Sequence, residues 1–386
     1  MKTVLWLASW YPSKIAPFDG DFIQRHARAT AQVQPVHVVH IVKDARGSVC
    51  PRMLVEESLQ GGLRETIIYY KPRTTGWKQL DQLISFLTYY KVGRSYLNNH
   101  IKKEGKPLIV HLQVVMRAGP LALWLKKKEG IPYVVTEHWT GYQQGAGENF
   151  FQKNFLFRHT TKRVLKAASR LLPVSKHLGD TIAQTIQAVP YTVVYNVADT
   201  SLFYYSSLQP PVFRFVHVSS MNDQKNVPGI LRVLQKMQVY PDWECSMIGP
   251  AGDELKRYAD ELGLVDKVRW MGELSYQDVA GQVRHASACI LFSRYENLPC
   301  VLIEASCCGV PVIAPRTGGI PEIVPPGIGQ LIEPGDEEAL LQAMLGMMEN
   351  YSEYDRKEIG EWATGLFNYK KIGQEIADVY KTVLVL

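Results

Sequence analysis

The sequence has little of what marks a metal-binding, secreted or membrane-spanning chain. Six of its 386 residues are cysteine and none has C-x-x-C spacing, which argues against a zinc site and for buried, reduced thiols. No apolar run reaches 18 residues, so no bilayer-spanning helix is expected. The start, Met1–Pro12, has a short apolar run with two tryptophans and no small-residue cleavage site, which favours a buried strand over a signal peptide. We therefore expect a cytoplasmic globular protein.

Charge is divided unevenly along the chain, although the formal net charge is only +6. Residues 1–200 hold 27 lysines and arginines against 13 acidic residues, a balance of +14, whereas residues 201–386 have a balance of −8. Unless it is only a solvated surface, a basic half indicates an anionic partner, such as an acidic membrane surface or a phosphorylated acceptor. Nucleic acid also fits the charge, but the chain has no helix-turn-helix, zinc-finger or RNA-recognition pattern, so we expect no nucleic-acid partner.

The order of the apolar segments predicts two α/β domains. In each half, short buried runs alternate with helical patterns, as in a parallel sheet covered by helices. The predicted strands are Val4–Ser9, Val36–Ile41, Thr66–Tyr70, Leu108–Leu112, Tyr133–Thr136, Arg170–Val174, Phe213–Ser219, Glu244–Ile248, Val268–Gly272, Ala288–Phe292 and Val312–Ala314. The predicted helices are Gly20–Val33, Leu80–Lys102, Arg117–Glu129, Pro228–Gln238, Gly252–Leu262 and Tyr276–His285. A polar linker with a Pro-Pro pair, residues 200–212, separates the halves.

The most informative segment is residues 287–324, where a strand, a loop, a helix, a strand and a glycine turn follow one another. Asn297 is a predicted N-cap for a helix over Val301–Cys308. The N-terminus of that helix, at the carboxyl edge of the sheet, suits a diphosphate. Glu296 in the loop and Glu304 in the helix can accept hydrogen bonds from sugars on either side of that diphosphate. The pattern therefore indicates a nucleotide-sugar.

This segment resembles the E-x7-E region of the family-4 retaining glycosyltransferases of the GT-B fold. The matching stretches are Glu296-Asn-Leu-Pro, Ile303-Glu304-Ala, Cys308-Gly-Val-Pro-Val-Ile-Ala and Thr317-Gly-Gly-Ile-Pro-Glu322. The resemblance implies an α/β chain of two Rossmann-like domains that face each other across a cleft. It places residues 1–203 and 365–386 in an N-terminal acceptor-binding domain and residues 204–364 in a C-terminal nucleotide-sugar-binding domain. In such enzymes the last helix crosses back onto the first domain.

The resemblance also implies roles for single residues. Glu304 would hold the ribose hydroxyls, Glu296 the hydroxyls of the transferred sugar, and Lys225 the diphosphate. His138 would contact the sugar and not act as a base. The residues expected to take part in catalysis are His138, Lys225 and Glu296, and the further donor-binding positions are Gly20, Ser220, Gly249, Gly272, Asn297, Leu298, Val301, Glu304, Gly318 and Gly319.

One stretch departs from the family pattern. Residues 213–231 resemble a motif in which an arginine and a lysine bind the donor diphosphate. Lys225 matches the lysine, but Ser220 stands in place of the arginine and Asn226 in place of a glycine. Arg294 and the helix N-terminus after Leu298 are candidate substitutes for the missing charge.

Three further residues beside the expected cleft have predicted local roles. Ser175 is a predicted helix N-cap, and Asn196 is predicted to cap the hinge between the domains. Glu137 is expected either to orient the ring of the neighbouring His138 or to face water. None of the three is assigned to catalysis.

The resemblance implies a retaining hexosyltransferase that uses a UDP- or GDP-sugar and needs no metal or other cofactor. Its acceptor would be a glycan or a lipid-linked molecule in surface polysaccharide biosynthesis. The basic, aromatic segment Phe150–Lys166, read as one helix, indicates a peripheral site at the inner membrane face, unless this helix is simply packed. A nucleotide-sugar epimerase on the same fold and an inactive nucleotide-sugar-binding protein are the open alternatives.

Overall fold

The computed structural model describes residues 3–143, 145–208 and 210–385. Within them the chain forms two α/β domains, each built on its own sheet, and a cleft separates the two. The central strands of both sheets are short and buried, as the continuous apolar runs of the sequence predict. The predicted alternation of strands and helices is confirmed.

The first domain contains a seven-stranded sheet. Its strands are β1 (Val4–Ala8), β2 (Val36–Lys43), β3 (Met53–Gln60), β4 (Leu63–Tyr70), β5 (Val110–Gln113), β6 (Tyr133–Glu137) and β7 (Arg170–Pro173), in the order β3-β4-β2-β1-β5-β6-β7. Its helices are α1 (Asp21–Ala31), α2 (Lys78–Glu104), α3 (Gly119–Glu129), α4 (Phe155–Ala167) and α5 (Lys176–Thr181), which continues as a π-helical turn, Ile182–Ile186. All pairings are parallel except that of the edge strand β3 with β4. The sequence did not predict β3, because most of its side chains are exposed and it has no buried apolar run.

The second domain contains a six-stranded, fully parallel sheet. Its strands are β8 (Phe213–Val218), β9 (Trp243–Ile248), β10 (Val268–Gly272), β11 (Ala288–Ile290), β12 (Val312–Pro315) and β13 (Gly329–Ile332), in the order β10-β9-β8-β11-β12-β13. Its helices are α6 (Val227–Lys236), α7 (Asp253–Glu261), α8 (Tyr276–Arg284), α9 (Cys300–Cys307), α10 (Ile320–Ile323), α11 (Glu337–Glu349) and α12 (Arg356–Phe367).

The final helix, α13 (Tyr369–Val385), packs on the first domain although it follows the second in the chain. The hydroxyl of Tyr380 accepts a hydrogen bond from Trp6 Nε1 at 3.0 Å and lies 2.6 Å from His111 Nδ1. Both partners belong to central strands of the first sheet. The last helix is therefore tied to the core of the first domain by buried polar contacts as well as by apolar packing.

Two local predictions near the cleft were wrong. Asn297 is not the N-cap of α9, because Pro299 occupies that position in an extended conformation and makes no side-chain cap. Phe150–Lys166 is not one helix, because Asn154 interrupts it and caps α4 at the N–H of Phe157. The prediction for Ser175 is confirmed, since its Oγ accepts the N–H of Leu178 at the start of α5.

Candidate active site

A cavity of about 740 Å³ lies between the two domains, beside the carboxyl ends of strands from both sheets. This is where open α/β sheets bind their ligands. The predicted site residues that line it are His138, Ser220, Lys225, Gly249, Glu296, Asn297, Leu298, Val301 and Glu304. The four other predicted positions, Gly20, Gly272, Gly318 and Gly319, are not among the described residues that line this cavity.

Lys225 and Glu296 form a partly buried ion pair within the second domain. Lys225 Nζ lies 2.5 Å from Glu296 Oε1, and Glu296 is only 5% exposed. The next residue, Asn226, has a left-handed backbone with φ of 50° and ψ of 43°, a conformation that asparagine tolerates better than most residues. Asparagine can therefore take the place of the family's glycine here without disrupting the turn that presents Lys225.

Glu304 is bound from the other side of the cleft. Arg25, on α1 of the first domain, forms an ion pair with Glu304 Oε1. The hydroxyl of Tyr276 donates a hydrogen bond of 2.7 Å to the same oxygen. Arg25 also pairs with Asp21 at 3.0 Å, and its guanidinium lies 4.9 Å from the centre of the Tyr276 ring. The carboxylate expected to receive the ribose is thus already held by two donors from different domains.

Sequence reasoning did not identify Arg25 as a site residue. The local signal was its i,i+4 spacing from Asp21 on a predicted helix, which is typical of an ordinary exposed ion pair. In the structure Arg25 is only 4% exposed, and its acidic partner Glu304 is distant in sequence. Only the packing of the two domains brings Arg25 and Glu304 together.

The carboxylate of Glu137 lies under the His138 loop and binds its backbone. It accepts hydrogen bonds from the N–H groups of Val115, His138 and Trp139 and from the hydroxyl of Tyr142, at 3.1 to 3.3 Å. Burial raises the pKa of Glu137 to about 7, and these donors oppose the rise. The expectation that Glu137 orients the ring of His138 or faces water was therefore wrong.

His138 projects a neutral ring towards the cavity. Its ring centre lies 4.6 Å from that of Phe22 and 5.5 Å from that of His26, and its Nε2 atom is buried with no protein partner among the described residues. Burial, aided by the nearby His26 and His111, lowers the pKa of His138 well below 6.5. A neutral imidazole that resists protonation can exchange a hydrogen bond with a ligand, but it is a weak base.

Neutral hydrogen bonds join the loop before α9 to the first domain. Asn297 Nδ2 donates to the carbonyl of His138 at 2.7 Å, and Gln143 Nε2 donates to Asn297 Oδ1 at 2.8 Å and to the carbonyl of Glu296 at 2.6 Å. Asn196 Nδ2 donates to the carbonyl of Leu298 at 2.6 Å, so this residue bridges the cleft and does not simply cap the hinge. These bonds hold the two domains close together.

Two glycines permit close backbone packing in loops of the site. Gly318 has φ of 57°, and a Cβ atom there would lie 1.9 Å from the carbonyl oxygen of Glu296. Gly249 has φ of 138°, and a Cβ atom there would lie 1.9 Å from the carbonyl oxygen of Ser219. Both positions therefore require glycine, and Gly318 supports the loop that carries Glu296.

The remaining predicted glycines are outside the described lining of the cavity. Gly20 precedes the first residue of α1, Gly272 accepts a hydrogen bond from the N–H of Gly249 at 2.8 Å, and the N–H of Gly319 donates to the carbonyl of Asn297 at 2.7 Å. Their packing positions loops of the site. Their predicted role in donor binding stays a prediction.

The positive charge at the site differs from the family pattern. Ser220 contributes none, and Arg294 faces a second interdomain cavity of about 720 Å³, where it approaches Asp223 and Asn226. Arg294 is therefore not placed to replace the missing arginine.

Among residues 3–143, 145–208 and 210–385, no group of three His, Cys, Asp or Glu could hold a metal ion. The same residues include no helix long and apolar enough to cross a membrane.

Comparisons with known proteins identify two matching family models and related proteins. Residues 208–364 match the family model "Glycosyl transferases group 1", and residues 57–202 match "Glycosyltransferase Family 4". An uncharacterized glycosyltransferase of Methanocaldococcus jannaschii is 24% identical over 360 residues, which cover 89% of this chain and 94% of that protein.

Two solved structures show the likeness of the fold. Sucrose-phosphate synthase from Thermosynechococcus elongatus has a TM-score of 0.80 at 18% identity and full coverage of both chains. Anabaena HepE in complex with UDP-glucose has a TM-score of 0.73 at 18% identity and covers 99% of this chain and 100% of its own. Because the two family models match consecutive segments that together span most of the sequence, the chain belongs to the group 1 and family 4 glycosyltransferases of the GT-B fold.

Proposed function

We propose that this glycosyltransferase transfers a sugar from a nucleotide-diphospho-sugar, with retention of configuration and without a metal, to a glycan or lipid-linked acceptor. The observation that carries the proposal is the position of Lys225, Glu296, Glu304 and the N-terminus of α9 around one cavity. The UDP-glucose bound by HepE supports such a donor, because that protein shares the fold. UDP and GDP both remain compatible with the site.

The leaving diphosphate would bind where Lys225 and the start of α9 meet. The first N–H groups of a helix have no partner within the helix, and its dipole favours an anion. Lys225 adds a full positive charge that is already oriented by Glu296. Charges fixed before the reaction stabilise the negative charge that develops on the departing phosphate.

The two sugars of the donor would lie on either side of this diphosphate. Glu304, on the second turn of α9, would accept the ribose hydroxyls. Glu296 and the buried Nε2 of His138 would contact the transferred sugar. Since Glu296 is held by Lys225 and His138 stays neutral, both side chains would orient the sugar without exchanging protons with it.

Retention follows from attack on the same face of the sugar that the phosphate leaves. The bond between the anomeric carbon and the phosphate oxygen breaks while the bond to the acceptor oxygen forms. The leaving phosphate takes the proton of the acceptor hydroxyl, so no protein base is needed. Closure of the domains keeps water from competing with the acceptor.

An exposed apolar surface beside the cleft supports an acceptor at a membrane. Helix α2 starts after the carboxyl end of β4, and its solvent-facing side carries Leu80, Leu83 and Leu87 and then Lys91 and Arg94. Spacings of three, four, four and three residues place these five side chains in one stripe. The start of α4 adds the exposed side chains of Phe155 and Leu156. Apolar residues followed by cations suit an anionic bilayer and a lipid-linked acceptor in surface polysaccharide assembly.

A donor panel tests the reaction. The protein is incubated with UDP-, GDP- and ADP-sugars, with and without a chelator, and nucleotide release and donor isomers are measured. We expect slow release of one nucleotide from its matching donor, unaffected by the chelator, and loss of that release in Lys225→Ala. Isomerised donor would indicate an epimerase, and binding without release an inactive protein; either result would overturn the proposal.

Vesicle sedimentation tests the membrane site. Vesicles of phosphatidylcholine, with or without phosphatidylserine, are mixed with the protein at low and high salt. We expect binding only to the anionic vesicles, weakened by salt and lost when Leu80, Leu83 and Leu87 are all replaced by serine. Binding that is absent, or insensitive to salt, counts against a membrane-bound acceptor.

A further inference from the structure

The donor site has a shortage of positive charge on the second domain. The family pattern places an arginine where this chain has Ser220, and Ser220 is an exposed residue at the rim of the cavity. Arg294, the nearest candidate in sequence, faces the other cavity. A diphosphate with two negative charges would therefore meet Lys225 as the only full positive charge that the second domain supplies among its described cavity residues.

The first domain supplies a guanidinium on the opposite wall. Arg25 lines the same cavity and is 4% exposed, yet it carries a polar atom, Nε, with no hydrogen-bond partner among the described residues. A buried N–H without a partner costs free energy, about 1 to 3 kcal/mol. Such a group in the wall of a ligand cavity indicates a ligand that supplies the missing acceptor.

The position of Arg25 fits a phosphate at the start of α9. Arg25 and Cys300, the first residue of α9, line the same cavity. The guanidinium also contacts Glu304, which lies one turn further along this helix. It lies beside the same helix N-terminus that would receive the diphosphate.

Arg25 stays protonated and positively charged in this environment. Burial alone would lower its pKa, but the carboxylates of Asp21 and Glu304 raise it well above the ordinary value. The contacts of Arg25 and Tyr276 with Glu304 both use the oxygen Oε1. Glu304 can then turn its second oxygen, Oε2, towards a ribose while the guanidinium stays in place.

We propose that Arg25 is a donor-binding residue, supplied across the cleft by the first domain, and that it provides the arginine contact to the diphosphate that Ser220 cannot make. This inference rests on the proposed nucleotide-diphospho-sugar donor. The guanidinium binds a phosphate oxygen through Nε while its Nη1 atom remains on Glu304. The donor thereby binds both domains at once, so its affinity includes the closure of the cleft.

Isothermal titration calorimetry of binding by wild-type protein and Arg25→Gln tests the proposal. The ligands are UDP, GDP and ADP and their parent nucleosides uridine, guanosine and adenosine. For the nucleotide that the wild type prefers, Arg25→Gln should lower diphosphate affinity about 10- to 100-fold, because a charge-assisted hydrogen bond is lost. Nucleoside affinity should change by less than about fivefold, because Glu304 still accepts the ribose.

A second substitution supplies the rescue. Ser220→Arg in the Arg25→Gln background restores an arginine at the family's position, so we expect it to recover most of the lost diphosphate affinity without changing nucleoside affinity. Arg163→Gln is the matched control, because it removes the same charge from an exposed position of the first domain that is not among the described residues lining this cavity. Its diphosphate affinity should stay within about fivefold of the wild-type value. Thermal unfolding curves establish that each variant is folded.

The outcomes separate this inference from the proposed function. Equal losses of diphosphate and nucleoside affinity in Arg25→Gln, or no rescue by Ser220→Arg, would show that Arg25 only supports the fold of the cleft and would overturn the inference alone. Unchanged diphosphate affinity in Arg25→Gln would do the same. A wild-type protein that binds none of the three diphosphates would overturn the proposed function, and the inference with it.

Discussion

The two glutamates of the cleft are held in different ways. Glu296 pairs with Lys225 from the same domain, whereas Glu304 pairs with Arg25 from the opposite domain. All four side chains are buried or nearly so, and each pair places one carboxylate next to one cation. The first pair persists whether the cleft is open or closed, but the second exists only when the domains meet.

This difference predicts that the Lys225 pair acts in the chemical step and the Arg25 pair in closure of the cleft. The Lys225 pair is preorganised, so its charge is in place before the donor arrives and contributes to the chemical step. The ion pair of Arg25 and Glu304 forms only when the two domains are close together, so breaking it changes the shape of the molecule as well as the site. Substitutions in the two pairs should therefore produce different combinations of lost activity and altered shape.

The largest effect is expected for Lys225→Ala. The second domain then has no full positive charge among its described cavity residues to stabilise the leaving diphosphate, so the rate of transfer should fall about 10³-fold, which corresponds to roughly 4 kcal/mol. The radius of gyration should stay at the wild-type value, because the cross-cleft contacts remain. Steady-state kinetics and small-angle X-ray scattering measure both; turnover near the wild-type rate would contradict the assigned role.

Glu304→Ala should change shape and activity together. It leaves the guanidinium of Arg25 buried without its partner across the cleft, and breaking a buried pair costs about 3 kcal/mol or more. Because the pair joins two domains, opening the cleft relieves much of that cost. We expect turnover to fall about 100-fold and the radius of gyration of the free protein to increase, whereas a closed, active variant would refute the distinction between the two pairs.

Glu137 supports the cross-cleft contacts from within the first domain. Because burial raises its folded-state pKa from 4.5 to about 7, the folded protein holds this proton more tightly than the unfolded chain. The free energy of unfolding is therefore expected to fall by about 2 kcal/mol as the pH rises from 5 to 7. Urea unfolding at several pH values measures this fall, and Glu137→Gln, which cannot ionise, should lack it. An equal pH dependence in the variant would assign the effect to another group.

The smallest effect is expected for the neutral contact between Gln143 and Asn297. Hydrogen bonds between uncharged groups contribute about 1 kcal/mol each, so Gln143→Ala should weaken donor binding no more than about tenfold. A double-mutant cycle with Asn297→Ala isolates the contribution of the pair. If the coupling free energy of Gln143 and Asn297 is as large as that of Arg25 and Glu304, the charged contact across the cleft contributes no more than the neutral one.

The part of the site that was predictable lies within short stretches of sequence. Glu296, Glu304 and the turn at Gly318 belong to one contiguous segment, and Lys225 to a second motif, so local patterns located them. The strands with continuous apolar runs were predictable for the same reason. The edge strand β3 was not, because its burial is low and its side chains are mostly polar.

What the sequence did not reveal depends on tertiary contacts. Arg25 looked like half of an ordinary helical ion pair, and Asn297 looked like an N-cap. Their actual partners are Glu304 and the carbonyl of His138, both in the opposite domain. A local pattern carries no information about a residue that another domain brings into contact.

The position of α13 has a consequence for synthesis on the ribosome. The first domain lacks the helix that contacts Trp6 and His111 until about 180 further residues have been translated. At ordinary elongation rates this takes roughly 10 to 40 s. During that interval the apolar surface of the first domain that α13 covers is exposed, so the nascent first domain offers a binding site for chaperones that closes only when α13 emerges.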